Sequence, residues 1–134
     1  SRLDEIQAAF LNVKLKYIQQ DINGRRKVAN YYLENIKSTK IILPKLIKQE
    51  GHVWHLFVIR IQGRDELQKY LLDNGVQNLI HYPIPPYKQK AYKEYNKLSF
   101  PITEKIHLEV LSLPMSSILD ENEIKAIVKA INNF

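Results

Sequence analysis

The run VWHLFVIRI at residues 53–61 constrains the fold of this chain more than any other stretch. Its apolar residues fall on both sides of the two-residue alternation of a strand, and β-branched and aromatic residues dominate it. A strand of this kind is covered on both faces of its sheet. The chain therefore has to build a sheet with packing elements around it. His55, within the run, is interpreted as a packed strand residue rather than as a ligand.

A helix and a second strand are predicted after this run. The segment DELQKYLLDN has acidic residues in its first turn and leucines at helical spacing, and Asn74 and Gly75 form a good C-terminal stop. Residues 76–82 predict the second strand. Antiparallel pairing is preferred for so small a sheet, although a strand–helix–strand unit also permits parallel pairing.

A proline-rich loop follows, and it opens with His81 and Tyr82, two side chains that can hydrogen-bond a polar ligand. Pro83, Pro85 and Pro86 exclude regular structure and keep the backbone extended. Such a backbone presents neighbouring polar side chains at fixed positions, but prolines also simply stop a strand. Any ligand site of this chain is expected to have one wall here.

Two long helices are predicted before the sheet, within residues 1–38. Ser1 is the predicted N-cap, and the poor helix formers of residues 21–24 are expected to interrupt or kink the helical stretch. The first helix carries apolar stripes on two neighbouring faces, formed by Leu3, Ile6, Phe10, Val13 and Tyr17 and by Leu11, Leu15 and Ile18. A helix that is apolar on two faces is buried between two surfaces, so part of its cover is expected to lie outside this chain.

The remaining segments complete a small sheet with flanking helices. Residues 41–44 predict a brief strand or extended link, residues 88–95 a short helix or turn, and residues 101–113 a helix running into a strand. The closing helix has one apolar face, and Asp120 with Glu123 forms a capping-box pattern at its start. The predicted fold is α+β, with two long N-terminal helices followed by a small, mainly antiparallel sheet of three or four strands and flanking helices.

Composition bounds the class of protein. The 134 residues are one domain's worth, with 45% hydrophobic residues, no cysteine and no apolar run near the roughly 20 residues of a membrane helix. The absence of cysteine excludes disulfides and thiolate catalysis and fits a cytoplasmic protein. Glycine-rich phosphate loops and nucleophile elbows are absent, and the four histidines lack the spacing of a helical metal pair. Neither a complete catalytic constellation nor a metal site is predicted.

The net charge of +6 admits an anionic partner, although dispersed lysines are more typical of a solvated surface. The densest basic cluster is Arg25, Arg26 and Lys27, which is open to a phosphate contact or to plain solvation. Tyrosines and lysines interleave in residues 88–97, a pattern that can bind single-stranded nucleic acid by stacking. No recognised RNA-binding motif accompanies it, so nucleic acid is not an expected partner.

Similarity to one family runs along nearly the whole chain. It is carried by SRLDEIQAAFLNVKL, RRKVANYYLENI, HVWHLFVIR, FPITEKIHLEVLSLP, DENEIKAIVKAI and above all LIHYPIPPY, which is followed by Gln89, Ala91 and Tyr92. These segments resemble the DegT/DnrJ/StrS-type aminotransferases, pyridoxal 5′-phosphate (PLP) enzymes that aminate keto-sugars attached to nucleotides. HYPIPP most resembles the branch that makes 3-amino-3,6-dideoxyhexoses on thymidine diphosphate (dTDP).

The resemblance is to the C-terminal portion of that family. It implies the small domain of a fold-type I aminotransferase over residues 1–134, with residues 1–38 as the helical connector to a missing large domain. The large domain would hold PLP and its Schiff-base lysine, so this chain is expected to be inactive alone. The implied full-length enzyme is a cytoplasmic homodimer that transfers an amino group from glutamate to a keto-sugar nucleotide, a dTDP-3-keto-6-deoxyhexose.

Three residues take implied roles in substrate binding. His81 and Tyr82 match the family's histidine–tyrosine pair beside the sugar-binding cleft. Arg2 matches the arginine of a motif that reaches toward the neighbouring subunit's cofactor phosphate, and the companion asparagine of that motif would fall before the first residue. Tyr87 and Lys90 depart from the histidine and proline that relatives often carry, which leaves the sugar specificity open.

Two other interpretations are compatible with the residues. The chain is either a stand-alone binding module for nucleic acid or another polyanion, through residues 88–97 and the basic cluster, or a degenerate homologue that regulates or scaffolds a true aminotransferase. Salt-dependent binding of single-stranded oligonucleotides would favour the first of these.

Overall fold

The computed structural model of the protein describes residues 3–46, 48 and 51–134. Its described α-helices and strands are α1 (Glu5–Leu15), α2 (Ile18–Asn35), β1 (Ile41–Ile42), β2 (Phe57–Ile61), α3 (Arg64–Asp73), α4 (Pro101–Glu109), β3 (Val110–Leu113) and α5 (Glu121–Asn132). Two 3₁₀ helices, Pro86–Lys88 and Lys90–Tyr95, lie between α3 and α4, where a short helix or turn was predicted. The strands form an antiparallel sheet in the order β1–β2–β3, which confirms the predicted α+β fold. None of the described helices is long and apolar enough to cross a membrane.

The central strand β2 separates an apolar face of the sheet from a mixed one. Phe57, Ile59 and Ile61 are buried on the first face, while Val58 and Arg60 are half-buried on the second, as the alternation along a strand requires. Both faces are therefore covered, as the apolar run of the sequence predicts.

The chain before β2 is not a strand, so the predicted start at residue 53 was wrong. Trp54 has a left-handed backbone conformation, with φ of 51°, which turns the chain out of the extended state. Its side chain is 1% exposed and stacks on Phe57 with 5.2 Å between ring centroids. His55 lies outside the strand and is exposed, which overturns its interpretation as a packed strand residue.

The hydrophobic core lies on the apolar face of the sheet, beneath α2, α3 and α5. Tyr32 of α2 is fully buried, and its hydroxyl donates a hydrogen bond to the carbonyl of Pro114 at 2.9 Å. The apolar face of α5 is buried as predicted, and the capping box of Asp120 and Glu123 is present at its start. The largest fully buried side chains are those of Trp54, Tyr32, Phe57, Ile59, Leu67, Leu71, Leu111 and Ile131.

The first helix has no buried residue. Its apolar side chains are exposed on both of the predicted stripes, and Phe10, for example, is 67% exposed. Asp4 caps α1 by accepting a hydrogen bond from the backbone N–H of Ile6, while the predicted N-cap Ser1 lies outside the described residues. Within the described chain, α1 therefore lacks the cover that its sequence pattern requires.

The helical stretch is interrupted earlier than predicted. The break falls at Lys16 and Tyr17, and α2 then runs without interruption through residues 21–24. Gly24 lies inside this helix, close to Ser117. A Cβ at position 24 would lie only 2.9 Å from both the Cβ and the carbonyl oxygen of Ser117, so a larger residue would not fit without a shift. The glycine therefore permits close packing of α2 on the segment after β3, and it does not break the helix.

Residues 76–82 do not form the predicted second strand. Leu79 makes one antiparallel bridge to Ser112, with N–H···O distances of 3.2 and 2.8 Å, and no described strand extends it. The Asn78 side chain instead holds the segment against α3, since its amide donates to the carbonyls of Gln68 and Val76. The strand that pairs with β2 on this side is β3, which lies between β2 and Leu79.

Candidate functional site

The predicted ligand-binding segment leaves the sheet edge at Leu79 and runs past α4. We call residues 81–87 the His81 loop. Pro85 is buried, while Pro83 and Pro86 are exposed, so the proline-rich backbone is anchored on one side and presents its neighbours on the other. The loop is fixed to β3 and α4 through polar contacts at both of its ends and at Tyr82.

The first contact holds the imidazole of His81. Its Nδ1 lies 2.8 Å from the hydroxyl oxygen of Ser112, a residue of β3 that is 4% exposed. The backbone N–H and carbonyl of Ser112 are both paired with Leu79, so the serine is fixed on a rigid strand. The ring of His81 is half-buried, and among the described residues no hydrogen bond engages its other nitrogen, Nε2.

The second contact holds the backbone of Tyr82. Nδ1 of His107, on α4, donates a hydrogen bond to the Tyr82 carbonyl. The Tyr82 side chain is 67% exposed, and its ring stands edge-on to His81 with 5.6 Å between centroids. The peptide bond between His81 and Tyr82 is cis. The ring contact shows that the two side chains of the predicted pair are adjacent in space, and that of Tyr82 is largely open to solvent.

The third contact closes the loop. The hydroxyl of Tyr87 donates to Oε1 of Glu104 at 2.6 Å, and the same carboxylate accepts the backbone N–H of Phe100 at 3.2 Å. Desolvation and the hydrogen bond to Glu104 raise the pKa of Tyr87. The hydrogen bonds from Tyr87 and from Phe100 lower the pKa of Glu104. This contact ties the end of the loop to the first turn of α4.

An open groove of about 550 Å³ lies beside His81. Its polar side chains are those of His55, Gln77, Asn78, His81 and Ser112, and its apolar wall includes Leu79, Leu113 and Met115. Asn78 is 8% exposed, and its Oδ1 is one of two buried side-chain atoms without a hydrogen-bond partner in the described chain. The Asn78 oxygen itself has almost no accessible surface, so the groove presents polar side chains mainly through His55, Gln77 and His81, next to an apolar surface.

The basic cluster of residues 25–27 is used within the fold. Nη1 of Arg25 reaches the carbonyls of Trp54, His55 and Met115 at 3.4 Å each, and Nε of Arg26 donates to the carbonyl of His52. Lys27 pairs with Glu121 at the surface. These contacts join α2 to the turn before β2 and to the segment after β3, so neither plain solvation nor a phosphate is needed to explain the cluster.

Ser112, His107 and Glu104, which hold the His81 loop, were not predicted from the sequence. Ser112 carries a local signal, because it is the only polar residue in the strand VLSL. His107 and Glu104 carry none beyond being polar residues of an amphipathic helix. Arg2, the third predicted binding residue, lies outside the described residues. His55, which was interpreted from the sequence as a packed strand residue and not as a ligand-binding one, lines the groove.

Residues 1–132 match the DegT/DnrJ/EryC1/StrS aminotransferase family, and the chain belongs to that family. It is 52% identical to dTDP-3-amino-3,6-dideoxy-alpha-D-galactopyranose transaminase of Aneurinibacillus thermoaerophilus, over 100% of this chain and 37% of that protein. It is 41% identical to the erythromycin biosynthesis sensory transduction protein EryC1 of Saccharopolyspora erythraea, over 98% of this chain and 37% of that protein.

Solved structures agree with this assignment. The crystal structure of DesV of S. venezuelae in complex with a ketimine intermediate superposes with a TM-score of 0.93 at 33% identity, over 98% of this chain and 36% of that one. A family member from Brucella abortus superposes with a TM-score of 0.89 at 32% identity, over 98% of this chain and 36% of that one. The chain thus spans somewhat more than a third of the length of each of these four proteins.

Aminotransferases of this family generally use PLP, and the residues of this chain do not suffice to hold it. A Schiff-base lysine is activated in a desolvated pocket or beside another cation. Every lysine of this chain lies within the described residues, and every one is exposed. The chain therefore fits one wall of such a site and does not fit the attachment point of the cofactor.

Proposed function

We propose that residues 1–134 are the C-terminal small domain of a PLP-dependent sugar-nucleotide aminotransferase. The full-length enzyme transfers an amino group from glutamate to a dTDP-3-keto-6-deoxyhexose and works as a cytoplasmic homodimer. Residues 1–38 connect this domain to the large domain that holds PLP, so this chain is inactive alone. The observation that carries the proposal is the 52% identity, over the whole chain, to a dTDP-amino-sugar transaminase.

His81 and Tyr82 contact the sugar nucleotide in this proposal. His81 lines the groove, and its Nε2 has no partner among the described residues. The Tyr82 side chain beside it is largely exposed, so both residues can hydrogen-bond oxygen atoms of a substrate. Arg2 is assigned to the cofactor phosphate of the neighbouring subunit. The exposed apolar stripes of α1 support a covering surface outside this chain, which the large domain supplies.

A hybrid enzyme tests the proposal. In it, residues 1–134 replace the aligned segment of the A. thermoaerophilus transaminase, and amination of a dTDP-3-keto-6-deoxyhexose with glutamate is measured. We expect turnover within about tenfold of the parent enzyme, and none from this chain alone. A folded, PLP-loaded hybrid without turnover would show that the chain comes from a non-catalytic homologue.

His81→Ala in the same hybrid separates binding from folding. Loss of one hydrogen bond to substrate is worth about 1–3 kcal/mol where a partner is left buried and unpaired, which corresponds to a roughly 5- to 160-fold loss of kcat/KM. The unfolding midpoint should change little, because His81 is only half-buried. The control is Lys125→Ala on the exposed face of α5. Equal losses of activity and stability would make His81 a packing residue.

A further inference from the structure

The hydrogen bonds around the His81 loop determine which nitrogen of each histidine carries the proton. A neutral imidazole has one N–H donor and one bare nitrogen acceptor, and the partner of one nitrogen decides the role of the other. His107 is the clear case, because its Nδ1 faces the carbonyl oxygen of Tyr82. A carbonyl only accepts, so Nδ1 of His107 carries the proton and its Nε2 is bare.

His81 has the opposite arrangement. Its Nδ1 faces the hydroxyl of Ser112, which can either donate or accept. No other partner of that hydroxyl occurs in the part of the chain that the structure describes, and the serine is 4% exposed. If the hydroxyl accepted, its own proton would be buried without a partner, which costs about 1–3 kcal/mol. The hydroxyl therefore donates to Nδ1, and Nε2 of His81 carries the proton.

We infer that Ser112 and His107 are positioning residues for the His81–Tyr82 pair, with Ser112 presenting the His81 Nε2–H to the groove as a donor and His107 fixing the Tyr82 backbone. The ligand atom that His81 takes is then an acceptor oxygen, such as a sugar hydroxyl, a keto oxygen or a phosphate oxygen. The identity of the ligand rests on the proposed function. The tautomers rest only on contacts within this chain.

Nitrogen-15 NMR of the chain labelled at histidine reads the tautomers directly. At about pH 8.5, where an ordinary imidazole is neutral, we expect the Nε2–H pattern for His81 and the Nδ1–H pattern for His107. His52 is an internal control for the Nε2–H pattern, because its Nδ1 accepts from the backbone N–H of Trp54 at 2.9 Å. A His81 ring protonated on Nδ1, or a His107 ring protonated on Nε2, would overturn the inference without any variant.

Matched variants then test the partners. Ser112→Ala should move the His81 ring signals toward the solvent-averaged values of the exposed His55, and Ser112→Thr, which keeps the hydroxyl, should restore them. His107→Asn keeps a side-chain N–H near the position of Nδ1, whereas His107→Ala removes it. Slow exchange of the Ser112-position amide, which pairs with Leu79, reports an intact sheet edge. Unchanged His81 signals in a folded Ser112→Ala chain would remove Ser112 as the positioning residue.

The hybrid enzyme supplies the functional arm. Ser112→Ala and His107→Ala should each lower kcat/KM by about tenfold, the loss of one ordinary hydrogen bond, while Ser112→Thr and His107→Asn retain most of it. Ser38→Ala is the serine control, because Ser38 precedes β1 at the opposite edge of the sheet. Active hybrids that are indifferent to Ser112→Ala would refute the positioning role. An inactive native hybrid with the expected tautomers would instead refute the proposed function alone.

Discussion

Replacement of Gly24 by alanine sets two opposing effects against each other. In a helix interior alanine is normally more stable than glycine by about 1 kcal/mol. Here the new Cβ would lie 2.9 Å from the Cβ and the carbonyl oxygen of Ser117, and neither atom is the free end of a flexible side chain. Overpacking of this kind costs about 1–3 kcal/mol. We therefore expect Gly24→Ala to destabilise the chain by about 1 kcal/mol, or roughly 4 °C in Tm.

Urea unfolding followed by fluorescence measures this effect, because the single tryptophan, Trp54, is 1% exposed in the core. The control is Gln20→Ala, at an exposed position of the same helix, which should leave stability within about 0.5 kcal/mol. A Gly24→Ala chain that is more stable than the native one by about 1 kcal/mol would refute the reasoning, because helix propensity would then outweigh the close packing on Ser117.

Three further changes probe single contacts. Asp120→Ala removes the capping box with Glu123 and should cost about 1 kcal/mol in urea unfolding; no loss would mean that the helix end is held by packing alone. Tyr32→Phe leaves a proline carbonyl without its buried donor and should cost about 1–3 kcal/mol, and a neutral result would show that water replaces the donor. Tyr87→Phe should lower stability near neutral pH but not at the extremes. The pKa of Glu104 is lowered in the folded chain, so its contribution to stability is present above the ordinary glutamate pKa and is lost as pH falls through the lowered value. The pKa of Tyr87 is raised, so its contribution to stability is present below the ordinary tyrosine pKa and is lost as pH rises through the raised value. A pH-independent difference would contradict this assignment.

Elements with a strong local pattern were predictable from sequence. The helix with buried leucines and an Asn74–Gly75 end is α3, and the helix with the Asp120 capping box is α5. Their periodicity and their caps lie within one stretch of chain, so no distant contact has to be known. The predicted strand over residues 76–82 was wrong, because a short apolar run is equally compatible with an extended link. The extended link is what forms, because the Asn78 side chain holds the segment against α3 and because β3 occupies the place beside β2.

Of the candidate site, only His81 and Tyr82 could be predicted from the sequence, and the residues that hold them could not. His81 and Tyr82 are adjacent in sequence and stand beside prolines, so a fixed polar loop could be expected. Their partners are 31 residues away, for His81 and Ser112, and 25 residues away, for Tyr82 and His107. Such pairings depend on β3 lying beside Leu79 and on α4 crossing the loop, which are properties of the tertiary fold. The spacing of these residues along the sequence does not predict such pairings.

The structure divides the chain into a self-sufficient part and a dependent part. The His81 loop is held by β3 and α4 of the same chain, so the ring of His81 and the carbonyl of Tyr82 have defined partners without any other domain. Helix α1 buries no residue and exposes two apolar stripes. An isolated helix of 11 residues is marginal in water, so α1 depends on a surface that covers it. Under the proposed function, the contacts that hold His81 and Tyr82 are therefore preformed within this chain, whereas α1 gains its covering surface only when the large domain packs against it.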